Sequence, residues 1–223
     1  MIIFLVFSHD YSEDERYTNI NYYKTMEKKT IEYYKNANVQ YRLIKYNPNI
    51  NLTFEEKDNT FYIKGNENYD FETCNYKSRT AFNYYKDKYN YIYKSTVTSL
   101  PNIKMIHTII KEFENGNLEF LYSGPIFSGN NKWFIGGFSL LLNNKSIDTI
   151  LQHEWVTHDD ESIGDILRSY MLSQPYFANH SGWSYDHIHT KLVIKFVMYK
   201  EYQDYESDYT LHDKVSNIFL SLL

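Results

Sequence analysis

The chain has 223 residues, 43% hydrophobic and 23% charged, which is enough apolar material for one large domain or a tight pair. These proportions exclude a disordered chain, a collagen and a coiled coil, and the single cysteine, Cys74, excludes a disulfide framework and a cysteine-based zinc site. A formal charge of -5 and a pI of about 5.9 argue against broad nucleic-acid binding.

In chain order, Ile2–Phe7 is a continuous apolar run, as expected of a strand covered on both faces. No basic segment precedes it and no small-residue cleavage site follows, so it does not read as a signal peptide. No stretch is apolar enough to be a transmembrane helix, and the expectation is a cytoplasmic protein without membrane insertion. A polar loop follows at 8–15, then a helix over 24–36 with Met26, Ile31 and Tyr34 among lysines and glutamates. Tyr41–Tyr46 reads as a second strand and 61–64 as a third, ending in a turn at Gly65. Residues 76–85 read as a helix and 89–94 as a strand. Pro101 suits a first helical position, and Ile103, Ile106, Ile110 and Phe113 recur at steps of three and four until Asn115-Gly116 stops the helix. Residues 118–122 read as a strand, and 134–142 as a strand or strand-turn with a Gly136-Gly137 step. Helices are expected over 146–153, 160–173 and 211–222, with a β-rich run at 192–199. Strand and helix alternate in the first half, which implies a mostly parallel sheet with helices on both faces and a crevice at the carboxyl ends of the strands. Ser8-His9 and residues 94–99 would line that crevice.

No Walker loop, dinucleotide fingerprint, nucleophile elbow or His-Glu-x-x-His helix is present. The most informative stretch is His158-Asp159-Asp160-Glu161-Ser162-Ile163-Gly164, three carboxylates ahead of an amphipathic helix. Carboxylates there are either caps on free helix amides or, if they face a cleft, candidates for a general base. His187-x-His189 puts two imidazoles on one strand face and, with His158 and Asp159, could bind a metal, although no defined spacing is matched. Lys77, Arg79 and Lys94 stand beside expected strand ends, where they could meet a phosphate, Lys77 and Arg79 being equally at home on a solvated helix face. Trp133 reads either as a core residue or as a ring for stacking on a sugar.

Taken in order, these pieces resemble small GT-A glycosyltransferases: the β-1,3-galactosyltransferase and fringe group, and the compact glycosyltransferase domains of large DNA viruses. The segment 89–102, Tyr-Asn-Tyr-Ile-Tyr-Lys-Ser-Thr-Val-Thr-Ser-Leu-Pro-Asn, resembles the family's strand that ends in a basic residue, then Thr and Asp-x-Asp, then an extended stretch and a helix. Residues 70–81 resemble its acidic loop leading into a Lys-Thr helix, 133–142 its Ser-Gly-x-Gly strand-turn, and 159–164 its Glu-Asp-Val-x-Ile-Gly motif. The resemblance covers about residues 1–170. It implies a single GT-A domain over 1–223, with a nucleotide-binding half at 1–100 and an acceptor half at 101–223. It implies a nucleoside-diphosphate sugar donor and a glycan or glycoprotein acceptor. Asp160 would be the catalytic base of an inverting transfer, backed by Asp159. Phe7, Ser8 and His9 would line the nucleotide pocket. Ser95, Thr96 and Thr98 would lie near the diphosphate with Lys77, Arg79, Lys94 and His189. Trp133, Gly136 and Gly137 would face sugar and acceptor. Where the family has Asp-x-Asp, this chain has Thr96-Val97-Thr98, so no metal is firmly implied and Mn²⁺ or Mg²⁺ would lack its usual ligands. An inactive relative that still binds nucleotide or glycan is the alternative. A surplus of Lys, Asn, Ile and Tyr over Ala (24 Tyr among them) reads as AT-rich coding and fits the viral branch.

Overall fold

The computed structural model describes residues 1–8, 20–67, 70–129, 132–171, 188–189, 193–195 and 205–223. In chain order its elements are β1 (Ile2–Phe7), α1 (Ile20–Asn36), β2 (Tyr41–Tyr46), β3 (Phe54–Lys57), β4 (Thr60–Ile63), α2 (Phe71–Tyr85), β5 (Tyr91–Thr96), β6 (Ser99–Pro101), α3 (Ile103–Asn115), β7 (Tyr122–Ser123), β8 (Ile126–Gly129), β9 (Lys132–Ile135), β10 (Ser139–Asn143), α4 (Asn144–Leu151), α5 (Asp159–Met171), β11 (Ile188–His189), β12 (Val193–Lys195) and α6 (Tyr205–Leu220).

Seven strands form one sheet in the order β3-β4-β2-β1-β5-β10-β7. β4, β2, β1 and β5 run parallel, while β3 and β10 are antiparallel to their neighbours. The chain passes from β1 to β2 on one side and later enters β5 on the other, so strand order reverses at β1. Phe7 lies opposite Thr96 there, and the carboxyl ends of β1 and β5 flank the crevice that such a reversal creates. The described residues thus form a mixed α/β architecture, and β10 from the second half of the chain pairs directly with β5 of the first.

Alternation along β1 explains the layering. Phe4 and Val6 join a core with Tyr22, Met26, Tyr33 and Tyr34 of α1, Ile103, Ile106 and Ile109 of α3, and Val215 of α6. Ile3, Leu5 and Phe7 join a second core with Ala81 and Phe82 of α2, Ile147 and Ile150 of α4, and Ile163 and Leu167 of α5. Tyr22, Tyr33, Tyr34, Tyr85, Tyr93 and Tyr122 are among the largest fully buried side chains. Buried phenol hydroxyls usually find a partner: Tyr22 donates to Asp208, Tyr33 to the Pro101 carbonyl, and Tyr93 OH hydrogen-bonds Ser139 Oγ at 2.6 Å.

Several expectations are corrected. Pro101 ends β6, which pairs with β12 at the edge of a small sheet, and Asn102 caps α3 by accepting from the Met105 amide at 3.1 Å. Of the strand expected at 118–122, only Tyr122 pairs with β10, because the Leu121 amide is taken by the side chains of Asn143 and Ser146. Residues 134–142 are two strands, β9 and β10, parted at Gly136-Gly137, and β9 forms a hairpin with β8. Gly124 has a φ of +157°, and a Cβ there would collide with the Ser139 carbonyl, so only glycine fits.

Candidate functional site

The carboxyl end of β1 is held from both faces of the sheet. The Ser8 hydroxyl donates to the Glu27 carboxylate on α1, which also accepts from Lys45 Nζ at 2.7 Å. The Ser8 carbonyl accepts from Lys77 Nζ at 2.6 Å, and Lys77 also donates to Glu67 at 2.7 Å and lies 5.2 Å from the Tyr46 ring centre. Burial pushes the Lys77 ammonium below its ordinary pKa, and Glu67 opposes that fall. On β5, buried Lys94 forms an ion pair with Asp159 Oδ2 and sits 4.9 Å from the Phe7 ring centre.

Asp159 and Asp160 open α5 as the sequence predicts, and both caps and cleft contacts are present. Asp159 Oδ1 accepts from the Asp160 amide at 2.9 Å, while its Oδ2 is held by Lys94 and the Ser78 hydroxyl. Asp160 Oδ1 accepts from the Glu161 amide at 3.0 Å, and its Oδ2 reaches across to the Gly137 amide at 3.1 Å. Burial and the charge of Asp159 raise the Asp160 carboxyl above the usual aspartate range, and Lys94 and the two amides oppose the rise. A Cβ on Gly137 would lie 3.0 Å from Lys94 Nζ and 3.4 Å from the Asp160 Cβ, so the glycine permits this approach. Gly164, on the same helix, lets α5 pack on β9, since a Cβ there would be 2.6 Å from that of Phe134.

The turn after β5 is a cluster of hydroxyls. Thr96 Oγ1 hydrogen-bonds Ser99 Oγ at 2.8 Å and Thr98 Oγ1 at 3.4 Å, and Ser95 Oγ bonds Tyr34 OH at 3.1 Å. From α1, Thr30 donates to the Val97 carbonyl at 2.9 Å. Neutral hydroxyls bonded to one another do not fit a hard divalent cation. Among the described residues no group of three His, Cys, Asp or Glu side chains is arranged to hold one. His158 is exposed, and His187 lies outside the described residues.

Of the expected site residues, Phe7, Ser8, Lys77, Lys94, Ser95, Thr96, Thr98, Gly137, Asp159 and Asp160 gather at this end of the sheet. Gly136 is buried, and its amide bonds the Pro125 carbonyl at 3.0 Å, which shapes the turn. Arg79 is a correction: its guanidinium donates to the carbonyls of Leu151 and His153 at the end of α4 and stacks 5.1 Å from the Trp155 ring centre. It serves as a helix-end cation there, away from the Asp159-Asp160 pair. Lys77 and Lys94 each have a carboxylate partner, Glu67 and Asp159, as burial of charge demands. Trp133 lies on β9 opposite Ser128, and His189 on β11 opposite Ile194. His9 falls outside the described residues. Sequence reading missed Ser78, Glu67, Glu27 and Lys45. Ser78, beside Lys77 on an expected helix, carried a weak signal, whereas nothing local marks Glu27, 19 residues from the Ser8 it binds. No protein-family model matches the chain, and no curated protein sequence is similar to it.

Proposed function

We propose that the chain is a GT-A glycosyltransferase that moves a sugar from a nucleoside-diphosphate sugar to a glycan or glycoprotein hydroxyl with inversion. One observation carries the reading. The four segments that bear the resemblance, far apart in sequence, each contribute to one hydrogen-bonded knot beside the β1–β5 crevice: Ser78, Lys94, Gly137 and the Asp159-Asp160 pair. In the proposed reaction Asp160 takes the proton of the acceptor hydroxyl as its oxygen attacks the anomeric carbon. The bond from that carbon to the phosphate oxygen breaks, and the diphosphate leaves with the electron pair. Gly137 aims the carboxylate, and Asp159, fixed by Lys94 and Ser78, keeps it basic. No step is routed through a metal.

The test is a donor-hydrolysis and transfer assay across uridine and guanosine diphosphate sugars. Asp160→Asn should abolish transfer and leave nucleotide affinity nearly unchanged, and full activity in that variant would sink the base assignment. A second reading, a non-catalytic nucleotide- or glycan-binding relative, is favoured by one observation: Lys45, Lys77 and Lys94 are each bound to a carboxylate. Calorimetry with uridine and guanosine diphosphates decides between them, because binding without turnover on any donor supports the second.

A further inference from the structure

The last helix, α6, docks on α1 through polar groups instead of a purely apolar seam. Tyr22 OH donates to Asp208 Oδ2 at 2.7 Å, with Tyr22 and Asp208 both fully buried. Lys29 Nζ donates to both Asp213 oxygens at 2.6 Å and lies 5.9 Å from the Tyr209 ring centre. Within this interface is His212, 2% exposed, with Nδ1 3.2 Å from Ser216 Oγ and 3.9 Å from Asp213 Oδ1. Among the described residues, the titratable groups of this α1–α6 interface include Asp208, Tyr209 and Asp213 on α6, and Tyr22 and Lys29 on α1, of which Lys29 and Asp213 act on the imidazole.

An imidazolium at this place would be desolvated and would face the Lys29 ammonium, with the half-exposed Asp213 as its counter-charge. Burial and Lys29 push the docked imidazole down to about 4, whereas a released one titrates near 6.5. The face of α1 that α6 covers also reaches the candidate site. Thr30, next to Lys29, braces the Val97 carbonyl in the Thr96–Thr98 turn, and Tyr33 braces the Pro101 carbonyl of β6.

We propose that α6 is an acid-released latch: uptake of one proton by His212 detaches it from α1 and uncovers the helix that braces the Thr96–Thr98 turn. The sign follows from linkage. A neutral buried histidine contributes docking strength that is present above the released value and is lost as pH falls from about 6.5 towards 4. Between pH 7.5 and 5, docking should weaken about 30-fold.

Hydrogen exchange followed by mass spectrometry on the full chain tests this. After correction for intrinsic rates, α6 peptides should exchange about 30-fold faster at pH 5 than at pH 7.5, while β1 and β5 stay protected. His212→Gln, which can bond Ser216 but cannot be charged, should flatten that dependence. In parallel, the His212 ring signal in the unmodified chain should titrate well below 6.5 and together with the α6 amides. Unchanged α6 exchange between the two pH values would overturn the latch. So would equal acceleration in His212→Gln, or a ring that titrates while the α6 amides stay still.

Discussion

Asp159 and Asp160 are adjacent in sequence and do different work. Asp159 is spent on Lys94 and Ser78, whereas Asp160 accepts from the backbone amides of Glu161 and Gly137 and its carboxyl is raised by burial and by its neighbour's charge. In the proposed reaction the base must be ionised, so transfer should fall as acid protonates Asp160, and at a pH above the ordinary aspartate range. Asp159→Asn removes a charge that raises Asp160, and the inflection in kcat/KM against pH should move down. Lys94→Met would leave Asp159 buried without its cation and should cost about 3–5 kcal/mol in urea denaturation. Adding Asp159→Asn to that variant should recover part of the loss, since it removes the stranded charge. Gly137→Ala pushes a methyl against Lys94 and Asp160, and should cost about 1–3 kcal/mol while lowering activity more than its stability loss explains.

Helices and strands differ in how far the sequence announced them. β1 and β2 match their expected bounds because continuous burial leaves an apolar run, and α3 follows its isoleucine spacing. β3 was illegible: its Phe-Glu-Glu-Lys residues are all exposed at the sheet edge, so no face is marked by hydrophobicity. β6 was hidden because Pro101 suits both a helix start and an edge strand, and only pairing with β12 decides between them. Asn102 being the true cap, Asn102→Ala should cost about 1 kcal/mol in thermal or urea unfolding, where Pro101→Ala should cost less. The candidate site was legible where chemistry sits at element ends, as at Asp159 and Asp160. It was illegible where partners come from distant elements, as with Glu27 on Ser8 or Ser78 on Asp159. Arg79 misled because a cation on a helix face carries no record in its own sequence of which helix end it meets.

The whole molecule is organised around a sheet that the two halves of the chain share. β10 lies between β5 and β7, and Lys94 from the first half is neutralised by Asp159 from the second. Residues 1–100 and 101–223 are therefore not separable folding units. A fragment of residues 1–102 would expose one whole edge of β5 and strand a buried lysine. It should give a collapsed amide spectrum by NMR, where the full chain gives a dispersed one. Among the described residues no helix is long and apolar enough to cross a membrane.

The phenols packed into both layers give the protein an alkaline limit. Burial raises the pKa of Tyr33, Tyr34, Tyr85, Tyr93 and Tyr122, so these rings stay neutral in the fold when an exposed phenol would ionise near 10. Stability from these groups is present below that value and lost as pH rises through it, because only the unfolded chain can release their protons. Phenolate absorbance should therefore climb in two stages during an alkaline titration. Surface tyrosines ionise first and reversibly, and the interior set appears later in one cooperative step that coincides with loss of helical circular dichroism. A composition first read as coding bias thus becomes an optical gauge of whether the two layers are still closed.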